Sequence, residues 1–141
     1  MSESKIDPTG IVQIYLPAKD LKESSDWYVK HLGFTVLFEG EEAMTLKHEM
    51  GPMIMLWQTD SAPVKFILGE GESAVISLMY PNVEQLHQEL KEKNVSIEKL
   101  VRFGDGNRYI HFNVIDPHGN KLDIGNYPDL PDMKIQSIGN Q

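Results

Sequence analysis

No cysteine occurs among the 141 residues. Its absence removes disulfides, thiolate nucleophiles and cysteine-type zinc sites together, and it is compatible with a cytosolic protein. Long hydrophobic runs are missing too. The longest, Met53-Ile54-Met55-Leu56-Trp57, falls far short of the roughly 20 apolar residues that cross a bilayer. Residues 1–10 have no apolar core, so no signal peptide is expected. Basic residues are scarce: 13 Lys and Arg stand against 21 Asp and Glu, a net charge of −8. Contact with nucleic-acid phosphates needs clustered cations, so no DNA or RNA partner is expected. These absences describe a soluble, cytoplasmic protein with neither a nucleic-acid nor a membrane partner. A chain of this length buries roughly two-thirds of its surface on folding, enough for a core without staples.

What is present sorts best from Tyr109 to Ile124. Asp116-Pro117-His118-Gly119 suits a type I turn, with Pro117 holding φ and Gly119 free to take a positive φ as a bulge. The ladder then runs Ile115–Lys121, Val114–Leu122, Asn113–Asp123 and Phe112–Ile124. Cross-strand partners share a face. Ile110, Phe112, Val114, Leu122 and Ile124 therefore form an apolar side that needs a helix over it. Tyr109, His111, Asn113 and Asp123 form a polar side that either meets solvent or lines a site.

Two outlines of the same kind precede and include this hairpin. Ile11–Leu16 alternates as a strand. Asp20 with Glu23 makes a capping box, and Leu21, Ser24, Ser25, Tyr28 and Leu32 lie on one face of a helix ended by Gly33. Residues 34–38, 43–47 and 53–57 read as strands, giving β-α-β-β-β. After a connector at 61–72, the pattern recurs. Residues 74–80 form a strand, Asn82 with Gln85 makes a second capping box, and Val83, Leu86 and Leu90 stripe a helix stopping near Asn94. Residues 95–100 form a strand, 103–107 a loop, and the hairpin follows. Asp20 matches Asn82 and Gly51 matches Gly119, so the chain is a duplicated supersecondary unit. The expected organisation is one domain over 10–127, built of modules 10–60 and 73–127, with a tail at 128–141.

The duplicated β-α-β-β-β order, the Asp20-Leu21 helix start leading to Trp27-Tyr28 and Leu32-Gly33-Phe34, and Asp116-Pro117-x-Gly119-Asn120 before the last strand resemble the vicinal oxygen chelate superfamily. That group includes glyoxalase I, bleomycin-resistance proteins and extradiol dioxygenases. The resemblance implies an α+β fold in which two βαβββ modules form a curved mixed sheet around a central cavity, with helices outside. The alternation then puts Val12, Ile14, Leu16, Ile54, Leu56, Ile76, Leu78, Leu122 and Ile124 under the helices. It puts Gln13, Tyr15, Thr45, Met53, Met55, Trp57, Val75, Ser77, Met79, His111, Asn113 and Asp123 on the other side. Metal-using members resemble one another at four ligand positions, which fall here on Gln13, Met55, Val75 and Asp123. A thioether is too soft for Mg²⁺, Mn²⁺ or Fe²⁺, and valine has no lone pair. The family's metal site is therefore read as absent, and no cofactor is expected.

Methionines with aromatic edges and sparse polar anchors are the make-up of a small-molecule pocket, although methionines also fill cores. The candidate ligand-binding residues are Gln13, Tyr15, Met53, Met55, Trp57, Val75, Ser77, His111, Asn113 and Asp123. A planar or cationic ligand stacked on Trp57 or Tyr15 and paired with Asp123 suits them. His31, His48, His87 and His118 are read as bland: two on solvated helix faces, two beside turns. The expected function is metal-independent binding of a small molecule, sequestered or sensed, in a homodimer like those of the bleomycin-resistance branch. The alternative is a glyoxalase-like lyase, isomerase or dioxygenase with a divalent metal at a displaced Gln13/His111/Asp123 site. A third reading closes the cavity and leaves function to the surface.

Overall fold

Leu21, Ser24, Ser25, Tyr28 and Leu32 are the buried residues of the first helix, α1 (Leu21–Leu32), in the computed structural model of the chain, which describes residues 6–127. The stripe follows from the 3.6-residue period, and the two serines let the helix lie close on a sheet. Asp20 caps it, accepting the Glu23 amide at 2.9 Å. Gly33 ends it in the left-handed conformation (φ 80°), where its amide and that of Phe34 both bond the Tyr28 carbonyl.

Around α1 the first module has strands β1 (Gln13–Ala18), β2 (Thr35–Glu39), β3 (Ala43–Lys47) and β4 (Met53–Gln58). They form one sheet in the order β1-β4-β3-β2, with β1 parallel to β4 and the other pairs antiparallel. Leu16, Leu46, Ile54 and Leu56 are buried on the α1 side, at 2% exposure or less. A short hairpin of β5 (Phe66–Leu68) and β6 (Gly71–Ser73) occupies the stretch read as a connector.

The second module repeats the plan with β7 (Ile76–Met79), α2 (Val83–Glu92), β8 (Val101–Phe103), β9 (Tyr109–Ile115) and β10 (Lys121–Gly125). Its sheet order is β7-β10-β9-β8, again with the first and last strands of the module parallel. Phe112, Val114, Leu122 and Ile124 are buried on one face, and the β9–β10 register is the expected one, from Lys121–Ile115 to Ile124–Phe112. The α+β class and the duplicated β-α-β-β-β order are both present. Residues 117–120, the tip of this hairpin, group with the first module in a compact unit.

Several expectations need correction. Val12 is 67% exposed and precedes β1 rather than lying under α1. The ladder begins with Gln13 paired to Met53, and Val12 joins it only through its carbonyl, which accepts the Met53 amide at 2.9 Å. Asn82 precedes α2 but makes no side-chain cap bond; its ψ of 68° is not the extended backbone that Asp20 has. The strand expected at 95–100 shrinks to one bridge, Ile97–Val114, and pairing resumes at Val101–His111, past the expected strand, running to Phe103 at the edge of the expected loop. Four residues advance on one strand while three advance on the other, a bulge that period-two reading cannot see. The first module slips at the corresponding place, between Val36 and Phe38. His87 is half-buried, its ring edge-on to Phe112 at 4.7 Å, and is not solvated. The tail at 128–141 lies outside the described residues. Among the described residues no helix is long and apolar enough to cross a membrane.

Candidate functional site

The sheet face opposite each helix carries the expected site residues, and the two modules differ in what they put there. In the first module, Gln13 pairs with Met53, and Tyr15 and Thr45 both pair with Met55. Ala43 pairs with Trp57, whose indole meets Tyr15 edge-on at 6.4 Å. Tyr15 is 59% and Trp57 43% exposed, while Met53 and Met55 are half-buried. This face is a soft apolar platform with a single amide, Gln13.

In the second module, side chains on β7, β9 and β10 converge on one carboxylate. Asp123 pairs with Ser77 on one side and Asn113 on the other. Its Oδ1 accepts from His111 Nδ1 at 2.8 Å. Its Oδ2 accepts from Ser77 Oγ at 2.8 Å and from the Tyr127 hydroxyl at 2.6 Å. Phe103 stands edge-on to His111 at 5.5 Å, and Tyr109 adds a third ring 6.3 Å from Tyr127. Burial, then the bond to Asp123 and its charge, push the Tyr127 phenol well above its ordinary range, so it keeps its hydrogen.

Gly125 makes this arrangement possible. A Cβ there would sit 2.4 Å from the Tyr127 ring, so only glycine lets the ring fold back along β10 to reach Asp123. Tyr127 and Gly125 were not found by sequence reasoning. Tyr127 lies beyond the last strand, where periodicity is silent, and the close approach at Gly125 is a tertiary fact. Asn113 does not join the cluster: its amide donates to Glu98, which also takes the Lys121 ammonium at 2.6 Å. That ion pair holds the Glu98 carboxyl below its ordinary range, with the Lys121 hydrogen bond as the leading cause. Val75 lies before β7 and is 55% exposed.

His118 is anchored through both ring nitrogens. Its Nδ1 accepts the Lys19 amide at 3.0 Å, so Nε2 carries the hydrogen and donates it to the Ser61 carbonyl at 2.7 Å. It lines an open recess of roughly 920 Å³ in the first module with Asp20, Glu23, Gln58 and Asp60. None of the ten expected ligand-binding residues borders that recess.

The family model for the glyoxalase/bleomycin resistance protein/dioxygenase superfamily matches residues 10–124. The chain belongs to that superfamily. Solved structures of the superfamily's fold are similar throughout. A glyoxalase/bleomycin resistance protein/dioxygenase from Alicyclobacillus acidocaldarius is 22% identical, with a TM-score of 0.66 over 88% of this chain and 96% of that one. A lactoylglutathione lyase from Agrobacterium tumefaciens is 17% identical, TM-score 0.63, over 85% and 95%. TioX from Micromonospora sp. ML1 is 17% identical, TM-score 0.65, over 83% and 98%. At these identities the likeness is one of fold. The search of curated proteins returned no match. At the superfamily's four ligand positions, the side chains of Gln13, Met55, Val75 and Asp123 do not make a divalent-metal donor set. Two are not oxygen or nitrogen donors, and both Asp123 oxygens already accept hydrogens from neighbours.

Proposed function

We propose that this protein is a metal-independent small-molecule-binding member of its superfamily, which holds a ligand without changing it. The observation that carries the reading is the Asp123 cluster. A carboxylate whose side chain is only 13% exposed is bonded by three neighbours and flanked by aromatic rings on an open sheet face. Oriented polar groups in an aromatic surround are what a binding site needs to fix a flat ligand. The remaining expected contacts, Gln13, Tyr15, Met53, Met55 and Trp57, supply a second apolar surface on the first module's sheet. Val75 is retained as a peripheral contact.

The same reading makes the protein a homodimer. Val36, Leu37 and Phe38 on β2 and Phe66, Ile67 and Leu68 on β5 are between 38% and 70% exposed. Each strand by itself presents a run of exposed apolar side chains, and exposed apolar surface marks association sites.

A thermal-shift screen of untagged protein against planar aromatic and cationic compounds tests the proposal, since a ligand bound only by the folded state raises the midpoint. Stabilisation by a subset of planar compounds, diminished in Asp123→Asn, is the expected result. A stoichiometric divalent ion in metal analysis, lost on substituting His111 or Asp123, would replace this reading with that of a metal-dependent lyase, isomerase or dioxygenase.

A further inference from the structure

Which hydrogens the Asp123 cluster leaves for a ligand can be counted. An ionised carboxylate only accepts. Each of its three neighbours must therefore point a hydrogen at it: His111 through Nδ1, Ser77 through its hydroxyl and Tyr127 through its phenol. A neutral imidazole has one N–H, and with Nδ1 holding it, Nε2 is a bare acceptor. No described residue bonds His111 Nε2, and the imidazole is 28% exposed. Ser77 is exposed, and its oxygen keeps lone pairs after donating. Tyr127 likewise keeps lone pairs on its hydroxyl. Arg108, the cation beside this edge, stacks over Tyr109 at 4.9 Å and donates to its hydroxyl at 3.0 Å.

We propose that this face selects its ligand by donor hydrogens: it binds a planar molecule carrying an N–H or O–H, and refuses one that offers only acceptors or a carboxylate. Asp123 consumes every hydrogen its neighbours could give, so lone pairs on His111, Ser77 and Tyr127 are what a ligand meets, beside the rings of Phe103 and Tyr109. A donor placed among them completes a chain of bonds ending on a carboxylate, the arrangement in which each bond strengthens the next. An acceptor placed among these three side chains meets only other acceptors and loses its water without replacement. The inference rests on the small-molecule reading above and gives that ligand a chemical class.

Matched neutral pairs separate donor selection from simple attraction to a negatively charged protein: phenol with anisole, and indole with 1-methylindole, plus benzoate. Methylation keeps each ring and deletes its donor. Titration followed by NMR at about pH 8, above the ordinary histidine pKa of roughly 6.5, should show phenol and indole binding roughly fivefold or more tightly than their methylated partners, with benzoate the weakest. Ring nitrogen shifts of labelled His111 should report hydrogen on Nδ1 in the free protein and a perturbed Nε2 on binding. In Asp123→Asn the new amide donates, the Ser77 and Tyr127 hydrogens can turn outward, and the preference should flatten or invert. Tyr127→Phe, a milder change, should narrow it. Equal affinity within each pair, or an Nε2–H tautomer in the free protein, would overturn donor selection and leave small-molecule binding standing. No binding by any ring compound would overturn both.

Discussion

A single glycine decides whether the polar cluster is complete. Gly125→Ala puts a methyl where the Tyr127 ring lies, at a separation of 2.4 Å that no contact tolerates. The ring must swing off β10, and the Tyr127 hydroxyl loses Asp123. Spectrophotometric titration of the tyrosines detects this. Tyr127 and Tyr80 are both held above the ordinary phenol value, the latter pushed up by burial to about 12. In Gly125→Ala one phenol fewer should titrate late. The sign for stability follows. A phenol raised in the folded state contributes fully below its ordinary value of 10.0, and that contribution is lost as pH climbs past it. Gly125→Ala should therefore flatten the loss of stability at alkaline pH. Asn120 poses the complementary case. It is fully buried, accepts the Val64 amide at 2.7 Å and donates to the Pro17 carbonyl at 3.0 Å. Asn120→Ala strips both backbone groups of their partner, at a cost of about 1–3 kcal/mol each. Denaturant unfolding should show a loss of at least ~2 kcal/mol, and Asn120→Asp, which cannot donate, should not restore it.

Among the elements, the β9–β10 hairpin carries an acid-sensitive clamp. Glu98, in the segment bridged to β9, accepts from Asn113 and from the nearly buried Lys121. Its carboxyl is held below the ordinary 4.5, so it takes up a proton less readily folded than unfolded. The pair's contribution is complete above that value and shrinks as pH falls through the lowered one. Because the carboxylate is 45% exposed, the effect is screened and should stay under ~1 kcal/mol. Glu98→Gln should remove up to that amount of the stability lost below about pH 4.5, read from unfolding at a series of pH values. The hairpin itself was legible to the residue, because parity across an antiparallel pair sorts nine side chains at once and Gly119, at φ 98°, fixes the turn. The α1 face was legible for the same kind of reason. The strand before the hairpin was not, since one extra residue between Ile97 and Val101 changes which side chains face inward without leaving a compositional mark. The site was half legible: alternation put Ser77, His111 and Asp123 on one face. Tyr127 lies outside any periodic element, and the partners of His118 and Asn120 are distant in sequence, beyond the reach of local patterns.

For the whole molecule, the two copies of one plan carry different side chains at matching positions. By the offsets that align the copies, the first module has Tyr15, Ala43 and Met55 where the second has Ser77, His111 and Asp123, and Trp57 where the second has Gly125. One copy carries an apolar platform and the other the polar cluster. The exposed apolar residues of β2 and β5 are the reason for proposing a dimer, and the charge of the chain makes that proposal testable in a way mass alone does not. Each chain carries a net charge of −8, so bringing two together assembles −16, and the repulsion opposes association. Salt screens it: the Debye length falls from about 10 Å at 0.1 M to about 3 Å at 1 M. An interface held by Val36, Leu37, Phe38 and their neighbours should therefore tighten as salt rises, whereas one held by ion pairs should loosen. Sedimentation equilibrium should give twice the 16.0 kDa chain mass, with dissociation at low ionic strength and recovery at high. Phe38→Glu, placed on a residue 58% exposed and remote in sequence from the polar cluster, should shift the protein to monomer without changing its unfolding midpoint as a monomer. A dimer that weakens with salt, or one indifferent to Phe38→Glu, would move the interface away from this apolar surface.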